Sequence, residues 1–204
     1  NGSEEFSVSV TDDEYTDSQN FTVTVNAVND APIATTGITG TTSEDQSVVV
    51  TLSGSDVDGD NLTYSLDTDA SDGGVVLDGN LATYTPAADF NGDDSFIFSV
   101  SDGGGLTDTA EVTLVVTAVN DAPVLATVSN VSFHEEGTGS ISLSASDVDG
   151  DDLTFSITGG TFITATLDGS DITFSAPLDF NGSEEFSVSV TDDEYTDSQN
   201  FTVT

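Results

Sequence analysis

Asp56-Val57-Asp58-Gly59-Asp60-Asn61-Leu62-Thr63-Tyr64-Ser65-Leu66 is an acidic turn that runs straight into an alternating apolar and polar stretch. Ninety-one residues on it returns as Asp147-Val148-Asp149-Gly150-Asp151-Asp152-Leu153-Thr154-Phe155-Ser156-Ile157. Leu62, Tyr64 and Leu66, like Leu153, Phe155 and Ile157, recur at every second residue, the spacing that places side chains on one face of a half-buried strand. The same period appears in Phe6, Val8 and Val10, in Phe96, Phe98 and Val100, and in Val112, Leu114 and Val116. Serine and threonine fill the outward positions. Asp72-Gly73-Gly74 and Asp102-Gly103-Gly104-Gly105 supply turn chemistry between the runs. No segment carries a helical stripe.

One repeat therefore holds seven expected strands, near residues 33–40, 46–53, 62–66, 74–77, 81–85, 95–101 and 109–117. Seven short antiparallel strands in one repeat point to an all-β, immunoglobulin-like sandwich, repeated in tandem. The seam between repeats is Ala27-Val28-Asn29-Asp30-Ala31-Pro32, which reappears as Ala118-Val119-Asn120-Asp121-Ala122-Pro123. Proline restricts itself and the residue before it, and the seam contains no glycine, so it reads as a stiff connector. The expected division is 1–29 as the closing strands of a preceding repeat, 30–121 as a complete repeat and 122–204 as a nearly complete one. Residues 1–24 are identical to residues 181–204, which assigns them to the end of a repeat. The first residue thus lies inside a repeat, and the chain reads as a stretch of something longer.

Charge sets the chemistry. The 204 residues include 38 Asp plus Glu and no Lys or Arg, for a formal net charge of −38. No carboxylate can find a basic side chain in its own chain. Each must be hydrated, accept N–H bonds or bind a cation, and where several converge only a cation relieves their repulsion. Nucleic acid and anionic membrane need a basic face that this sequence cannot build. With hydrophobics at 35% the chain has enough apolar content to fold, and with no cysteine it lacks disulfide staples.

Strands that run alternately up and down sort their loops to two ends. The incoming linker, the Asp56/Asp58/Asp60 loop and the Asp102 loop fall at one end, while Glu44 and the 89–94 loop fall at the other. Repeats stacked end to end would bring acid to acid at each seam. The candidate ligands are Asn29, Asp30, Asp56, Asp58, Asp60, Asp102 and Glu44, with Asn120, Asp121, Glu135, Asp147, Asp149, Asp151 and Asp192 as their counterparts. An all-oxygen set with no recurring His or Cys suits a hard cation, and calcium accepts such flexible geometry better than magnesium. The loop is not an EF-hand, because its glycine stands fourth rather than sixth.

The run Ser55–Leu66, the Ser101-Asp102-Gly103-Gly104 turn and the Val28-Asn29-Asp30-Ala31-Pro32 linker resemble cadherin repeats. They resemble more closely the cadherin-like tandem repeats of giant bacterial adhesins secreted by type I systems, including large RTX adhesins. The resemblance covers essentially the whole chain. It implies calcium at the inter-repeat linkers, a secreted, cell-surface location, and a role as an extender that holds a distal binding domain away from the cell. Two departures lower the implied count to one or two calcium ions per seam: Ala31 and Ala122 replace the second linker Asn, and the acidic-basic-acidic motif is missing.

Other readings are weaker. His134, the sole histidine, has Ser43 as its counterpart and reads as a loop position. No enzyme is expected, since there is no nucleophile context and the carboxylates recur at seams rather than in one cleft. Glu4, Glu5, Glu184 and Glu185 read as solvated loop ends. A calcium-dependent carbohydrate- or protein-binding adhesion module is the alternative to a spacer, and near-copies in tandem favour the spacer. The expected partners are adjacent repeats and calcium, with no nucleic acid and no membrane insertion, and strand exchange between chains is open to residues 1–24 and 181–204.

Overall fold

A computed structural model describes all residues, 1–204, and they form strands and turns without a helix. Two compact units divide the chain at Thr117 and Ala118. The first begins with a hairpin, β1 (Gly2–Thr11) and β2 (Thr16–Val25), which is exposed along its whole length and pairs only with itself.

The rest of unit 1 is a sandwich built from β3 (Ile33–Ala34), β4 (Ile38–Ser43), β5 (Val48–Thr51), β6 (Gly54–Ser55), β7 (Thr63–Thr68), β8 (Gly73–Asp78), β9 (Leu81–Pro86), β10 (Gly92–Ser101) and β11 (Thr107–Thr117). One sheet has the order β4-β11-β10-β7 and the facing one β5-β9-β8, with β3 and β6 as a short separate pair. Alternation sets the core. Phe96, Phe98 and Val100 of β10 and Val112, Leu114 and Val116 of β11 point inward against Val50, Leu52, Ala82 and Tyr84. Each of the Phe, Leu and Val side chains contributes about 1.5–3 kcal/mol on full burial.

The expected first strand is divided in two, and the second, β5, is followed by the separate short strand β6. The chain enters in β3, antiparallel to β6, crosses a break at Gly37 (φ 76°), and continues in β4, parallel to β11 from Ile38 opposite Val112 to Ser43 opposite Thr117. The switch lets one segment pair first with β6 and then with the edge of the β11 sheet, and no single period could have announced it.

Unit 2 repeats the plan with β12 (Val124–Leu125), β13 (Thr138–Ser142), β14 (Ala145–Ser146), β15 (Thr154–Gly159), β16 (Thr164–Asp168), β17 (Asp171–Ser175), β18 (Glu184–Thr191) and β19 (Thr196–Val203). Its sheets are β15-β18-β19 and β13-β17-β16, with β12 on β14. Val131 makes a parallel bridge to Val203 where unit 1 has β4 on β11. Phe174, Phe186 and Phe201 form its aromatic centre, with Phe174 edge-on to both others at 5.3 and 5.9 Å.

The two cores solve one local problem differently. In unit 1 the buried Asp94 accepts the Tyr84 hydroxyl at 2.9 Å and the N–H groups of Ser71, Asp72 and Ser95. Burial pushes the Asp94 carboxyl up, but these four donors outweigh it and hold the group below its ordinary value. In unit 2 the residues in those places are Phe174 and Glu184, and Glu184 collects the N–H groups of Thr161, Phe162 and Ile163, the last at 2.7 Å. Glu184 is therefore not a solvated loop end. Its longer side chain holds the 160–163 turn without help from a phenol.

Candidate metal centre

Each acidic loop is shaped by its first aspartate. Asp56 Oδ1 accepts the N–H groups of Asp58 (2.8 Å) and Asp60 (3.4 Å), and Asp147 Oδ1 accepts those of Asp149 (2.9 Å), Gly150 (3.1 Å) and Asp151 (3.4 Å). Such a turn needs a left-handed residue at its fourth position, and Gly59 and Gly150 provide it at φ 79° and 80°. With one oxygen engaged by the turn, Oδ2 of Asp56 and Oδ2 of Asp147 are left buried and without a hydrogen-bond partner. A buried carboxylate oxygen without a donor is costly unless a cation or water meets it.

The linker is tied to this loop through its main chain. Asp30 N–H donates to Asp58 Oδ2 at 2.9 Å, and Asp121 N–H donates to Asp149 Oδ2 at 2.8 Å. The linker asparagines reach the next loop. Asn29 donates from Nδ2 to Asp102 Oδ2 at 2.6 Å, and Asn120 does the same to Asp192 at 2.8 Å. The other oxygen of Asp102 accepts the N–H groups of Gly104, Gly105 and Leu106, and that of Asp192 accepts those of Glu194 and Tyr195. Burial pushes both carboxyls up, and these donors more than reverse it, so both lie below the ordinary aspartate value.

In unit 2 the acids converge. Carboxylate oxygens of Asp147, Asp149 and Asp151 lie within 4.8 Å of one another. Burial, then the negative charges of Asp147, Asp149 and Asp192, push Asp151 above its ordinary value. A partly desolvated carboxylate beside like charges is raised in this way, and a cation at the loop would reverse it. The donors are all hard oxygens, two to a carboxylate, and they fit a calcium-type cation better than a soft or tetrahedral metal.

The structure thus gathers Asn29, Asp30, Asp56, Asp58, Asp60 and Asp102 at one end of unit 1, and Asn120, Asp121, Asp147, Asp149, Asp151 and Asp192 at the corresponding end of unit 2. Glu44 lies at the end of unit 1 opposite Asp102, as the alternation of strands requires, and Glu135 at the end of unit 2 opposite Asp192. Glu44 follows β4 beside Thr117, to whose carbonyl its N–H donates at 3.0 Å, at the far end of β11 from Asp102. Near it, Asp45 Oδ1 accepts the Asp89 N–H at 3.4 Å. Glu135 is exposed near Thr204, past the far end of β19, next to His134, whose carbonyl accepts the Gly137 N–H in an exposed turn.

Two aspartates that fix the linker's exit were not singled out from sequence. Asp108 accepts the Ala34 N–H and Asp197 the Leu125 N–H, both at 2.9 Å. Their only sequence signal is recurrence at matching places in the last strand of each repeat.

Comparison with solved structures gives the fold. Mouse cadherin-23, in a structure of its repeats EC22-24, is 16% identical and matches over 98% of this chain and 73% of its own, with a TM-score of 0.61. Human mucin-like protocadherin EC1-2 is 17% identical over 84% of this chain and 96% of its own, with a TM-score of 0.51. An endo-fucoidan hydrolase from glycoside hydrolase family 107 also aligns, at 19% identity and a TM-score of 0.39, and the chain spans only 33% of its length. No curated protein sequence matches. The model of the bacterial Ig domain matches residues 29–115 and again 120–204, so each sandwich with its preceding linker is one copy of that domain, and the chain belongs to the bacterial Ig domain family.

Proposed function

We propose that this chain is an extender segment of a large secreted adhesin on a bacterial surface, made rigid outside the cell by calcium bound at its linkers. The observation that carries the reading is the acidic loop of unit 2. Three aspartates stand within 4.8 Å, Asp147 has a buried oxygen without a donor, and the chain has no Lys or Arg to neutralise them. Asp147, Asp149 and Asp151 hold the ion in unit 2, with Asp121 and Asp192 beside them, and Asp56, Asp58 and Asp60 do so in unit 1, with Asp30 and Asp102. Calcium would supply the missing positive charge and a bond between loop and linker.

The rest of the chain supports a spacer. The units are near-copies, their family is a bacterial Ig domain, and their fold is that of cadherin repeats. Asn29 and Asn120 already pin each linker to the sandwich that follows it, so an ion has only to stiffen a joint that is partly set. Sites of extracellular modules typically bind at about 0.1–1 mM calcium, which leaves the chain pliable in the cytoplasm and stiff outside. Absence of Lys and Arg also removes every trypsin cleavage site.

Small-angle X-ray scattering with calcium and with chelator, read beside thermal melting, tests this. The expected result is a higher melting temperature and a narrower, longer distance distribution with calcium. No change in either would reduce the acidic loops to polar turns and move attention to a surface-binding role.

A further inference from the structure

The two acidic loops share one plan but stand among different charges. Asp56-Val57-Asp58-Gly59-Asp60 is followed by Asn61, whereas Asp147-Val148-Asp149-Gly150-Asp151 is followed by Asp152. The turn beside each loop differs more. In unit 1, Asp102 opens the run Gly103-Gly104-Gly105, and in unit 2 Asp192 opens Asp193-Glu194-Tyr195. Unit 2 thus carries Asp152, Asp193 and Glu194 where unit 1 has an amide and glycines, and no Lys or Arg exists to neutralise them.

Hydrogen bonds hold these charges at the loop. Asn120 ties Asp192 to the linker at 2.8 Å, and the Asp121 N–H of that linker donates to Asp149 Oδ2 at 2.8 Å. Asp192 Oδ1 accepts the N–H groups of Glu194 and Tyr195 at 2.8 and 2.6 Å, which fixes the path of the turn through Asp193 and Glu194. Asp151, raised first by burial and then by Asp147 and Asp149, is raised further by the charges of Asp192 and Asp152. Asp193 sits at φ 82°, the left-handed conformation that unit 1 fills with Gly103 at φ 80°. That conformation costs an aspartate more than a glycine, so the backbone gives no reason for the acid. Asp152, Asp193 and Glu194 are exposed and lie outside the group of Asp147, Asp149 and Asp151 whose oxygens converge. They strengthen the negative field at the loop without being needed as ligands.

We propose that the two loops take calcium in sequence, unit 2 before unit 1, and that Asp152, Asp193 and Glu194 set this order from outside the coordination sphere. The inference rests on the calcium reading of the same loops and adds the order in which they fill. Attraction between a divalent ion and one charge about 10 Å away is weak at physiological salt, and three such charges together give roughly three- to tenfold in affinity. Over that interval of calcium the unit 2 linker is fixed while the unit 1 linker still lacks its ion. Each linker therefore has its own calcium threshold, and stiffening is graded.

Gly59 and Gly150 stand at the fourth place of their loops and report the two sites separately. Their amide resonances are followed by nuclear magnetic resonance in the whole chain as calcium is added after chelation. The Gly150 midpoint should lie roughly three- to tenfold below that of Gly59 at physiological salt, and the ratio should shrink toward one in about 1 M salt, where charges are screened within about 3 Å. D152N/D193N/E194Q removes the three charges, keeps their sizes and leaves at 193 a residue that tolerates φ 82°, so the Gly150 midpoint should rise to that of Gly59. In chelator this variant should melt at or above the parent temperature, since only repulsion is removed. N61D should lower the Gly59 midpoint. Equal or reversed midpoints in the parent, a ratio that salt does not move, or an unshifted Gly150 midpoint in the triple variant overturns the proposed order. If neither glycine responds to calcium, the calcium reading itself falls, and the order with it.

Discussion

Asp147→Asn separates the two tasks of the residue that shapes the unit 2 loop. The amide keeps an oxygen for the N–H groups of Asp149, Gly150 and Asp151, but it removes the charge and turns the donorless Oδ2 into an NH2 group. In chelator, D147N should melt at or slightly above the parent temperature, because it relieves the repulsion that raises Asp151. With calcium the parent gains about 2.7 kcal/mol at a hundredfold excess over the dissociation constant. For a unit of this size each kcal/mol moves the midpoint by about 4–8 °C, so the expected rise is about 10–20 °C. D147N should forfeit most of that rise in the unit 2 transition and keep it in the unit 1 transition, where Asp56, Asp58 and Asp60 are intact. Asp147→Ala should also lose the N–H bonds and drop by about 1 kcal/mol or more even in chelator. Differential scanning calorimetry at about 10 mM calcium and in chelator reads all three. If D147N keeps the full calcium increment in unit 2, the ion does not act at this loop and the assignment fails.

Tyr84→Phe should destabilise unit 1 by about 1–2 kcal/mol in urea unfolding, because Asp94 loses one of four donors; a neutral result would mean that the three N–H groups suffice. Acid should weaken unit 1 as pH falls below 3.8. Asp94 and Asp102 have depressed pKa values in the fold, so their contribution is present above the unfolded value and is lost as pH drops through the folded one, and Asp94→Asn should flatten that decline in a pH series of melts. Asp151 has the opposite sign: its raised pKa means that protonation relieves strain in the calcium-free loop, so calcium affinity measured by calorimetry should begin to fall at a pH above the ordinary aspartate value, before Asp94 and Asp102 titrate. Gly73→Ala should cost about 1–3 kcal/mol, since its Cβ would run into the Tyr84 ring and meet the Thr85 carbonyl at 2.6 Å, and equal stability in urea would contradict that packing.

The all-β sandwich was legible because its information is local. Alternation in Phe96, Phe98 and Val100, and turn residues between runs, specify strands without reference to the rest of the chain. The sorting of loops also followed from strand order, which is why Asn29, Asp30, Asp56 and Asp102 could be expected together. What stayed hidden depends on residues distant in sequence. The split of the first strand into β3 and β4 reflects a change of partner from β6 to β11, and period two is the same on either side of it. Glu184 looked like a loop end because its role comes from the N–H groups of a turn some twenty residues earlier. Asp108 and Asp197 act on linker exits 74 and 72 residues away.

The unlike pairs Tyr84/Asp94 and Phe174/Glu184 have a consequence for the way a tandem chain leaves the ribosome or the export channel. Neighbouring near-identical domains are prone to cross-assembly, because a closing hairpin finished early can be captured by the wrong half-built sandwich. Here the β1–β2 hairpin carries Glu4, while the sandwich that follows it in unit 1 offers the phenol that suits a shorter acid. Unlike core solutions in neighbouring sandwiches would therefore act as a proofreading code for synthesis, favouring correct closure of each sandwich over capture by the adjacent one.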